Sequence, residues 1–201
     1  MGIVARERTL YEDVYDSVAK YASESPGRVN FPTFLEMARI SERERYRLSA
    51  LDAGCGGGYG ALEFKKAGFG KIVMCDITNF GLADEAADIP FYQTPLWDSL
   101  HVTTRSTLGG RFDYVYCCDV LEHIPKEFTM LTVSRLLEVA RLGVFLSIAH
   151  RIDVHGLWVG KHLHQTVEQF TWWRDNLSAL AEMIECRDLL SSGLFLLNPR
   201  S

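Results

Sequence analysis

From residue 48 onward, short apolar runs rich in β-branched and aromatic residues alternate with longer amphipathic stretches. The short runs predict buried strands, and the amphipathic stretches between them predict helices. The predicted strands are Leu48–Ala53, Lys71–Cys75, Phe91–Thr94, Phe112–Cys118 and Gly143–Ile148. Strands that alternate with helices in this order are typical of an α/β domain, in which helices cover both faces of a mostly parallel sheet.

The predicted helices follow from periodicity and from their end signals. One is predicted at Gly58–Lys66, with Gly68 as its C-terminal cap, and another at Glu127–Arg141. A third follows Thr166, which forms a capping-box pattern with Gln169. Its apolar positions recur at spacings of three and four, as in a core-facing helix. These positions are Phe170, Trp173, Leu177, Leu180 and Ile184.

The C-terminal part predicts a hairpin. Two extended runs, Ile184–Leu190 and Gly193–Leu197, are separated by Ser191 and Ser192. This hairpin adds two antiparallel strands to the parallel ones. The predicted fold is therefore Rossmann-like, with a mostly parallel seven-stranded sheet and an antiparallel C-terminal hairpin.

Residues 1–47 follow a different pattern and predict helical structure that precedes the sheet, with breaks at Pro26-Gly27 and at Pro32. The tyrosines of this segment either form a flap over the open edge of the sheet or pack on the outside of the core, and outside packing is the favoured interpretation. These tyrosines are Tyr11, Tyr15 and Tyr21. The predicted organisation is a single domain, with a helical flap or cap at 1–47 and the α/β part at 48–201.

Composition limits the class of protein. With 201 residues, 47% apolar and 23% charged, the chain fits a single globular domain. Its formal net charge of −5 disfavours a nucleic-acid partner. The five cysteines show no C-x-x-C spacing, and no apolar run reaches the roughly 20 residues of a membrane span. We expect a cytoplasmic protein without a membrane partner, and the oligomeric state stays open.

The glycine-rich loop Asp52–Gly60 predicts a nucleotide site between a strand and a helix, because glycines let backbone N–H groups approach a ligand closely. The glycine spacing also fits the dinucleotide fingerprint of NAD enzymes. Asp76, about 20 residues further on, suits the ribose hydroxyls of either ligand. Asp52 favours S-adenosylmethionine, whose ammonium group would compensate a buried carboxylate. The alternative is that Asp52 only caps the glycine turn.

Leu51–Gly58 resembles motif I of the class I S-adenosylmethionine-dependent methyltransferases. Asp76 matches their ribose-binding acid, and Phe112–Pro125 resembles the fourth-strand motif of the members with small substrates. The resemblance runs from about residue 48 to the end. It implies S-adenosylmethionine as cofactor and S-adenosylhomocysteine as product. The cofactor-binding residues that it implies are Asp52, Gly54, Cys55, Gly56, Tyr59, Asp76, Ile77, Trp97, Asp98, Cys118, Asp119 and Val120.

The third strand departs from the family pattern, which ends in a clear acidic residue for the adenine amino group. Here Asp98 is the expected acceptor, and Leu96 or Trp97 is the expected apolar wall against the adenine. Trp97 alternatively anchors a surface loop.

His123 is the first candidate for a general base and His150, at the end of the fifth strand, is the second, because imidazole titrates near physiological pH. His123 alternatively holds the loop. The segment 150–164 is the candidate acceptor-binding loop. Within this loop Trp158 either stacks on a flat substrate or is buried against the helix. His164 is expected to have a structural role.

An alternative uses Asp119, Glu122 and His123 on one face of a turn. This pattern is similar to the metal site of small-RNA 2′-O-methyltransferases and of ubiquinone-pathway O-methyltransferases, and it would hold Mg²⁺. Candidates for a fourth ligand are His150, His155, His162 and His164. The favoured interpretation has no metal.

The predicted function is therefore methyl transfer to oxygen or nitrogen of a small-molecule acceptor. Three alternatives stay open. They are an RNA or nucleotide methyltransferase, a non-catalytic S-adenosylmethionine-binding module and an NAD-dependent dehydrogenase.

Overall fold

The computed structural model describes residues 2–17, 25–98, 100, 110–153 and 160–199. Within them one seven-stranded sheet has the order β3-β2-β1-β4-β5-β7-β6. Strands β1 to β5 run parallel, and β7 lies antiparallel between β5 and β6. This confirms the predicted fold. The strands are β1 Ser49–Ala53, β2 Lys71–Asp76, β3 Phe91–Gln93, β4 Phe112–Cys118, β5 Ala140–Ala149, β6 Glu182–Asp188 and β7 Ser192–Asn198.

Helices cover both faces of this sheet. The α-helices are α1 Ile3–Ser17, α2 Pro26–Met37, α3 Tyr59–Lys66, α4 Lys126–Val139 and α5 Phe170–Leu180. Because side chains alternate along a strand, β1 sends Leu51 into the core beneath α4 and α5 and Ala50 into the core beneath α2 and α3. Among the described helices, none is both long enough and apolar enough to cross a bilayer.

The two described helices within residues 1–47 make different contacts. In α2, Phe31 and Phe34 pack against Phe64 of α3 and Tyr116 of β4, so this helix belongs to the main core. The Tyr116 hydroxyl also donates a hydrogen bond of 2.6 Å to the Gly27 carbonyl, which fixes the start of α2 over the sheet. Helix α1 packs Val4 against the core beneath α4 and α5, and its Leu10 and Val14 form a small cluster with Leu163.

The predicted breaks at the two prolines are wrong in detail. Pro26 begins α2, where its missing N–H is not needed, and the Ser25 hydroxyl accepts a hydrogen bond from the Arg28 N–H. Pro32 lies inside the helix. The helix continues past it because the aromatic side chains on either side are buried in the core.

Two other boundaries also differ from the prediction. Helix α4 ends at Val139, and Arg141 belongs to β5, because β5 already pairs with β4 from Ala140 onward. The predicted capping box is absent, since the Thr166 hydroxyl donates to the Ile124 carbonyl and α5 begins only after Gln169. The apolar stripe ends early as well. Its last predicted member, Ile184, lies on β6 and is half-exposed.

Candidate active site

A cavity of about 220 Å³ lies at the carboxyl ends of β1, β2 and β4, beneath α1. Ligands of open α/β sheets bind at this edge, where the strand order reverses around the first strand. Ten of the predicted cofactor residues line it. They are Asp52, Gly54, Cys55, Gly56, Asp76, Ile77, Trp97, Cys118, Asp119 and Val120.

The glycine loop after β1 needs glycine for two separate reasons. Gly54, Gly56 and Gly58 have φ angles of 74°, 51° and 78°, a left-handed conformation that glycine adopts without strain. In addition, a Cβ on Gly54 would lie 2.4 Å from a Val120 methyl carbon, and one on Gly56 would lie 3.0 Å from the Tyr15 hydroxyl. The loop therefore contacts both the turn after β4 and helix α1.

Asp52 is buried at the end of β1 and faces the start of α3. Its Oδ2 accepts a hydrogen bond of 2.8 Å from the Ala61 N–H, one of the free donors at the N-terminus of that helix. Burial still raises the pKa of Asp52 to about 7. The carboxylate therefore does cap the glycine turn. Because it also lines the cavity, a positive ligand group beside it would relieve its desolvation.

Asp76, at the end of β2, is bonded to the glycine loop. Its Oδ2 accepts from the Gly56 N–H at 2.9 Å, and its Oδ1 accepts from the Ile77 N–H at 2.6 Å. Burial raises the pKa of Asp76, and these backbone donors act against that shift. Its side chain is thus held in place before any ligand arrives.

The apolar wall lies where the third strand ends. Leu96 and Trp97 are buried and line the cavity, and the Trp97 ring stacks on Phe128 with centroids 6.1 Å apart. Asp98 is exposed and does not line the cavity, so the structure does not place it as the predicted adenine acceptor. The turn at residues 96–98 directs the two apolar side chains inward, and the carboxylate that follows them stays in solvent.

Asp119 is fixed at the end of β4 by a polar chain. The Asn30 amide donates to the Ser147 hydroxyl at 3.1 Å, and this hydroxyl donates to Asp119 Oδ1 at 2.7 Å. Burial raises the pKa of Asp119, and the hydrogen bond from Ser147 opposes the shift. Asp119 has a φ of 52°, which turns the chain sharply after the strand and brings Cys118 and Val120 to the cavity wall.

Two further predicted residues lie outside the cavity lining. Tyr59 sits on the first turn of α3, where the Arg28 guanidinium lies 4.1 Å from its ring centroid. His150 packs against Phe170, with ring centroids 5.9 Å apart, and contacts Gly193 of β7. At the end of β5 the side chain of His150 thus faces α5 and not the cavity, so the structure does not bring this second candidate base to the site.

His123 does line the cavity, but its environment makes it a weak base. Burial and the neighbouring His164, whose ring centroid is 4.6 Å away, lower the pKa of His123 to about 3. Its ring also packs edge-on against Tyr11, at 5.9 Å between centroids. The imidazole is therefore neutral at physiological pH, and its Nδ1 is buried without a hydrogen-bond partner.

The predicted trio of metal ligands is only partly brought together. Among the described residues, Glu122, His123 and His164 each offer one ligand atom, all within 4.8 Å of one another. Asp119 is not in this group, because Ser147 holds its carboxylate. His164 joins it because the Gln165 and Thr166 N–H groups donate to the Glu122 carbonyl, at 2.7 and 2.9 Å.

The segment that follows β5 contributes to the same wall. Arg151, Asp153 and His164 line the cavity, and buried Asp153 accepts a hydrogen bond from the Leu163 N–H at 3.3 Å. His162 is exposed. The predicted contributions of His155 and Trp158, like that of Tyr21 in the N-terminal segment, lie outside the described residues.

Helix α1 forms the roof of the cavity. Glu7, Tyr11 and Tyr15 line it, although outside packing of the tyrosines was the favoured prediction. A Cβ on Gly81 would lie 2.4 Å from the Tyr15 ring, which shows how closely this ring approaches the loop after β2. The hydrophobic pattern of α1 could not predict that its tyrosines face the cavity. Three loops from elsewhere in the chain determine which face of the helix is covered.

Hydrogen bonds fasten α1 to opposite rims of the cavity. On one rim the Arg8 guanidinium donates to the Ile77 carbonyl at 3.1 Å, and the Thr78 hydroxyl donates to Glu12 Oε1 at 3.3 Å. On the other rim the Gln165 amide donates to Glu7 Oε2 at 2.9 Å and to the His123 carbonyl at 3.0 Å. Sequence analysis missed Glu7 and Gln165. The signal of Glu7 is the burial of a charged residue, which is visible in the folded chain alone, and exposed Gln165 is marked only by its hydrogen bonds.

Comparisons with known proteins agree with this geometry. A family model described as a methyltransferase domain matches residues 51–141. The ribosomal protein L11 methyltransferase of Helicobacter pylori (strain HPAG1) is 29% identical over 122 residues, which are 58% of this chain and 37% of that protein. The same enzyme from strain 26695 is 29% identical over 125 residues. The chain spans little more than a third of the length of these curated relatives.

Solved structures share the fold over nearly the whole chain. Magnesium protoporphyrin IX methyltransferase from Synechocystis PCC 6803, with bound S-adenosylmethionine, has a TM-score of 0.67 at 18% identity, covering 96% of this chain and 97% of its own. The 1,6-didemethyltoxoflavin N1-methyltransferase of Burkholderia thailandensis has a TM-score of 0.62 at 15% identity, covering 100% of this chain and 92% of its own. At these identities the likeness shows the fold.

Residues 51–141 match a methyltransferase domain, and the fold of the described residues is that of solved S-adenosylmethionine-dependent methyltransferases. These findings confirm the resemblance to the class I methyltransferases that was stated from the motifs.

Proposed function

We propose that this chain transfers the methyl group of S-adenosylmethionine to an oxygen or nitrogen atom of a small-molecule acceptor. The observation that carries the proposal is a single cavity whose wall includes both the glycine loop with its carboxylates and the histidines after β4 and β5. Donor and acceptor would therefore meet inside one enclosed space. Methyl transfer from a sulfonium requires mainly such alignment and the exclusion of water.

The glycine loop and the two carboxylates fit the cofactor. Gly54 and Gly56 form a cradle in which any side chain would collide with a neighbour. Asp52 would bind the ammonium group of the methionine part, and Asp76 would accept from the ribose hydroxyls. Leu96 and Trp97 would cover the adenine. When bound, the cofactor supplies an activated methyl group.

The roof and the far wall would hold the acceptor. Tyr11 and Glu7 of α1 face the wall that carries His123, Arg151 and Asp153. These residues offer hydrogen-bond donors, acceptors and one fixed positive charge. A small polar molecule matches this lining, and α1 would exclude water from it. We propose that α1, within the predicted 1–47 cap, is the part that closes the site.

Proton removal by His123 has little support from its environment. With a pKa of about 3 the imidazole is too weak to take a proton from a hydroxyl group at neutral pH. Arg151 and Asp153 would instead orient the acceptor. An acceptor nitrogen that already carries a lone pair needs no base before transfer.

The comparisons support a small acceptor over a protein or an RNA. The structures that match nearly the whole chain belong to enzymes named for a magnesium porphyrin and for a toxoflavin precursor. The relatives named for a ribosomal protein match only 58–60% of this chain. A cytoplasmic location and the absence of a nucleic-acid partner remain part of this proposal.

The decisive experiment combines ligand binding with a methyl-transfer screen. Calorimetry with S-adenosylhomocysteine and with NAD tests the cofactor, and radiolabelled S-adenosylmethionine tests transfer to metabolite pools, RNA and protein fractions. We expect binding of S-adenosylhomocysteine, no binding of NAD, and label in the metabolite fraction. Label in RNA or protein would replace the small acceptor, and binding without any transfer would favour a non-catalytic module.

Asp76→Ala is the variant that tests the cofactor site in this screen. Asp88→Ala is the matched control, in which an acid outside the cavity is removed. Asp88 is an exposed acid whose carboxylate pairs with Lys65, far from the cavity lining. Asp76→Ala should abolish labelling while Asp88→Ala leaves it unchanged. If Asp76→Ala binds S-adenosylhomocysteine as tightly as the wild type, the assignment of the cofactor site is wrong.

A further inference from the structure

Glu122, His123 and His164 share an arrangement that neither the fold nor the cofactor requires. Each side chain offers one ligand atom, and these three atoms lie within 4.8 Å of one another, although the residues come from two segments far apart in the chain.

Glu122 is the buried member of this group. It is 0% exposed, and its Oε1 accepts a hydrogen bond of 2.8 Å from the Ala149 N–H. Its Oε2 is buried and has no hydrogen-bond partner. An unpaired buried carboxylate oxygen costs roughly 1–3 kcal/mol or more, so an atom of this kind indicates that a partner is missing.

The backbone defines the tautomer of one imidazole. His164 Nδ1 lies 2.6 Å from the Arg151 carbonyl oxygen, and because a carbonyl only accepts, this nitrogen carries the proton. Its Nε2 is then left with a lone pair. His123 lies against the Leu163 backbone, and its buried Nδ1 has no hydrogen-bond partner.

Backbone carbonyls that fix the remote N–H of an imidazole are the usual support of metal-binding histidines. Here His164 has this support from Arg151, and the Glu122 carboxylate has the equivalent one from Ala149. The segment 163–166 is itself fastened to the Glu122 carbonyl through two N–H groups. The backbone therefore holds these two side chains beside His123.

We propose that Glu122, His123 and His164 bind one divalent transition-metal ion, of which Zn²⁺ is the probe, at the acceptor end of the cavity. Two imidazoles and one carboxylate suit Zn²⁺, Co²⁺ or Fe²⁺, whereas Mg²⁺ prefers a shell of oxygen atoms. The ligand atoms of a tetrahedral site lie about 3.4 Å apart. A bound ion would draw the three atoms closer together than the 4.8 Å within which they lie.

The site would keep an open position. Glu122 is buried behind the wall, whereas His123 and His164 line the cavity. Three protein ligands with a fourth position facing a cavity are the pattern of catalytic and not of structural zinc sites. An ion held there accepts a lone pair from an oxygen or nitrogen atom of the acceptor, and it thereby orients that atom beside the methyl donor.

The test uses the full-length, metal-depleted chain after removal of any affinity tag. Calorimetry with Zn²⁺ should give one ion per chain, and Co²⁺ should give the visible absorption of a four- or five-coordinate site. Mg²⁺ should bind far more weakly. Absence of Zn²⁺ and Co²⁺ binding at micromolar concentrations would overturn the proposal, and equal affinity for Mg²⁺ would overturn the choice of ion class.

Two variants each remove one proposed metal ligand, and a third variant is the matched control. Glu122→Gln keeps the acceptor for Ala149, and His164→Asn changes a side chain that is only partly buried. Both should weaken Zn²⁺ binding by more than about 100-fold, beyond the 10–100-fold that follows the loss of a group supporting a ligand. His162→Asn removes an exposed histidine two positions from His164 and should change nothing.

Binding of S-adenosylhomocysteine, measured on the same samples, shows whether each variant is folded and separates this proposal from the methyltransferase assignment. If Glu122→Gln fails to fold, His164→Asn decides the outcome. Undiminished Zn²⁺ binding by His164→Asn, or an equal loss in His162→Asn, would show that the ion binds elsewhere.

Discussion

Asp76 accepts a hydrogen bond from the Gly56 N–H, with 2.9 Å between nitrogen and Oδ2. This bond joins the end of β2 to the glycine loop of β1. The two parts of the predicted nucleoside site, the carboxylate and the glycine loop, are therefore held together before a ligand binds. A ribose that binds here meets a carboxylate whose position is fixed by the backbone.

The first prediction compares two changes of Asp76. Asp76→Asn retains an acceptor for Gly56 but loses the negative charge, whereas Asp76→Ala loses both. We expect affinity for S-adenosylhomocysteine to fall about 10-fold in the first and more than about 100-fold in the second, because hydrogen bonds to a charged group contribute roughly 1.5–3 kcal/mol. Calorimetry measures both. Equal losses would mean that the contact with Gly56 plays no part.

The second prediction concerns the pH dependence of stability at Asp52. The folded-state pKa of about 7 lies above the ordinary pKa of 3.8 that applies in the unfolded chain. The folded state therefore binds the extra proton between these values, and stability falls as pH rises from about 4 to 7. Asp52→Asn imitates the protonated form and keeps an acceptor for Ala61. We expect it to be more stable than the wild type at pH 8, by at most about 4 kcal/mol.

Thermal unfolding of the ligand-free protein at pH 5 and at pH 8 checks this. The advantage of Asp52→Asn should grow between the two pH values, while its affinity for S-adenosylhomocysteine should be lower than that of the wild type at pH 8. A pH-independent difference in melting temperature would contradict the burial argument.

The third prediction separates backbone strain from collision in the glycine loop. Gly54 and Gly68 both have positive φ angles, 74° and 83°, but only at Gly54 would a Cβ meet another side chain, that of Val120. Gly68→Ala should cost about 1 kcal/mol from strain alone. Gly54→Ala should cost about 1–3 kcal/mol more because of the collision.

Denaturant unfolding of the two variants and of Gly54→Ala/Val120→Ala measures the difference. Removal of the Val120 methyl carbons should recover part of the loss, as a positive coupling in the double-mutant cycle. Strict additivity of the two changes would show that the loop and the turn after β4 move apart freely.

The fourth prediction concerns the roof. Tyr15 contacts the glycine loop and the loop after β2, and it belongs to a helix whose buried Leu10 and Val14 form only a small cluster with Leu163. Tyr15→Ala should therefore raise the dissociation rate of S-adenosylhomocysteine about 10-fold or more, with little change in melting temperature. Tyr46→Ala, at an exposed tyrosine outside the cavity, is the matched control. Stopped-flow displacement measures the rate, and an equal effect of the two variants would contradict the prediction.

The sequence predicted the sheet because strands of a parallel sheet are buried on both faces and therefore appear as apolar runs. The seven strands differ from their predicted bounds by a few residues at the ends. Arg141 shows why, since periodicity continued the helix through it while pairing with β4 turned the chain into a strand. Pairing partners lie far away in sequence and leave no local signal.

The cofactor side of the site was accessible to sequence analysis because its residues follow strands at defined positions. The acceptor side was not. His164 lies near His123 only because the Glu122 carbonyl binds the backbone of the segment next to it. Asp98 and His150 were predicted to face the site only because they follow strands. In the structure the turn leaves the Asp98 side chain in solvent, and packing against α5 turns the His150 side chain away from the cavity.

The attachment of α1 at both rims sets an order of events. Arg8 is bound to Ile77 on one side and Glu7 to Gln165 on the other, so a cofactor that left beneath α1 would have to break at least one of these contacts. Turnover would then be paced by the departure of the spent cofactor and not by the transfer of the methyl group. The Gln165 amide also donates to the His123 carbonyl. The same amide would therefore respond both to the arrival of the acceptor beside His123 and to the release of α1.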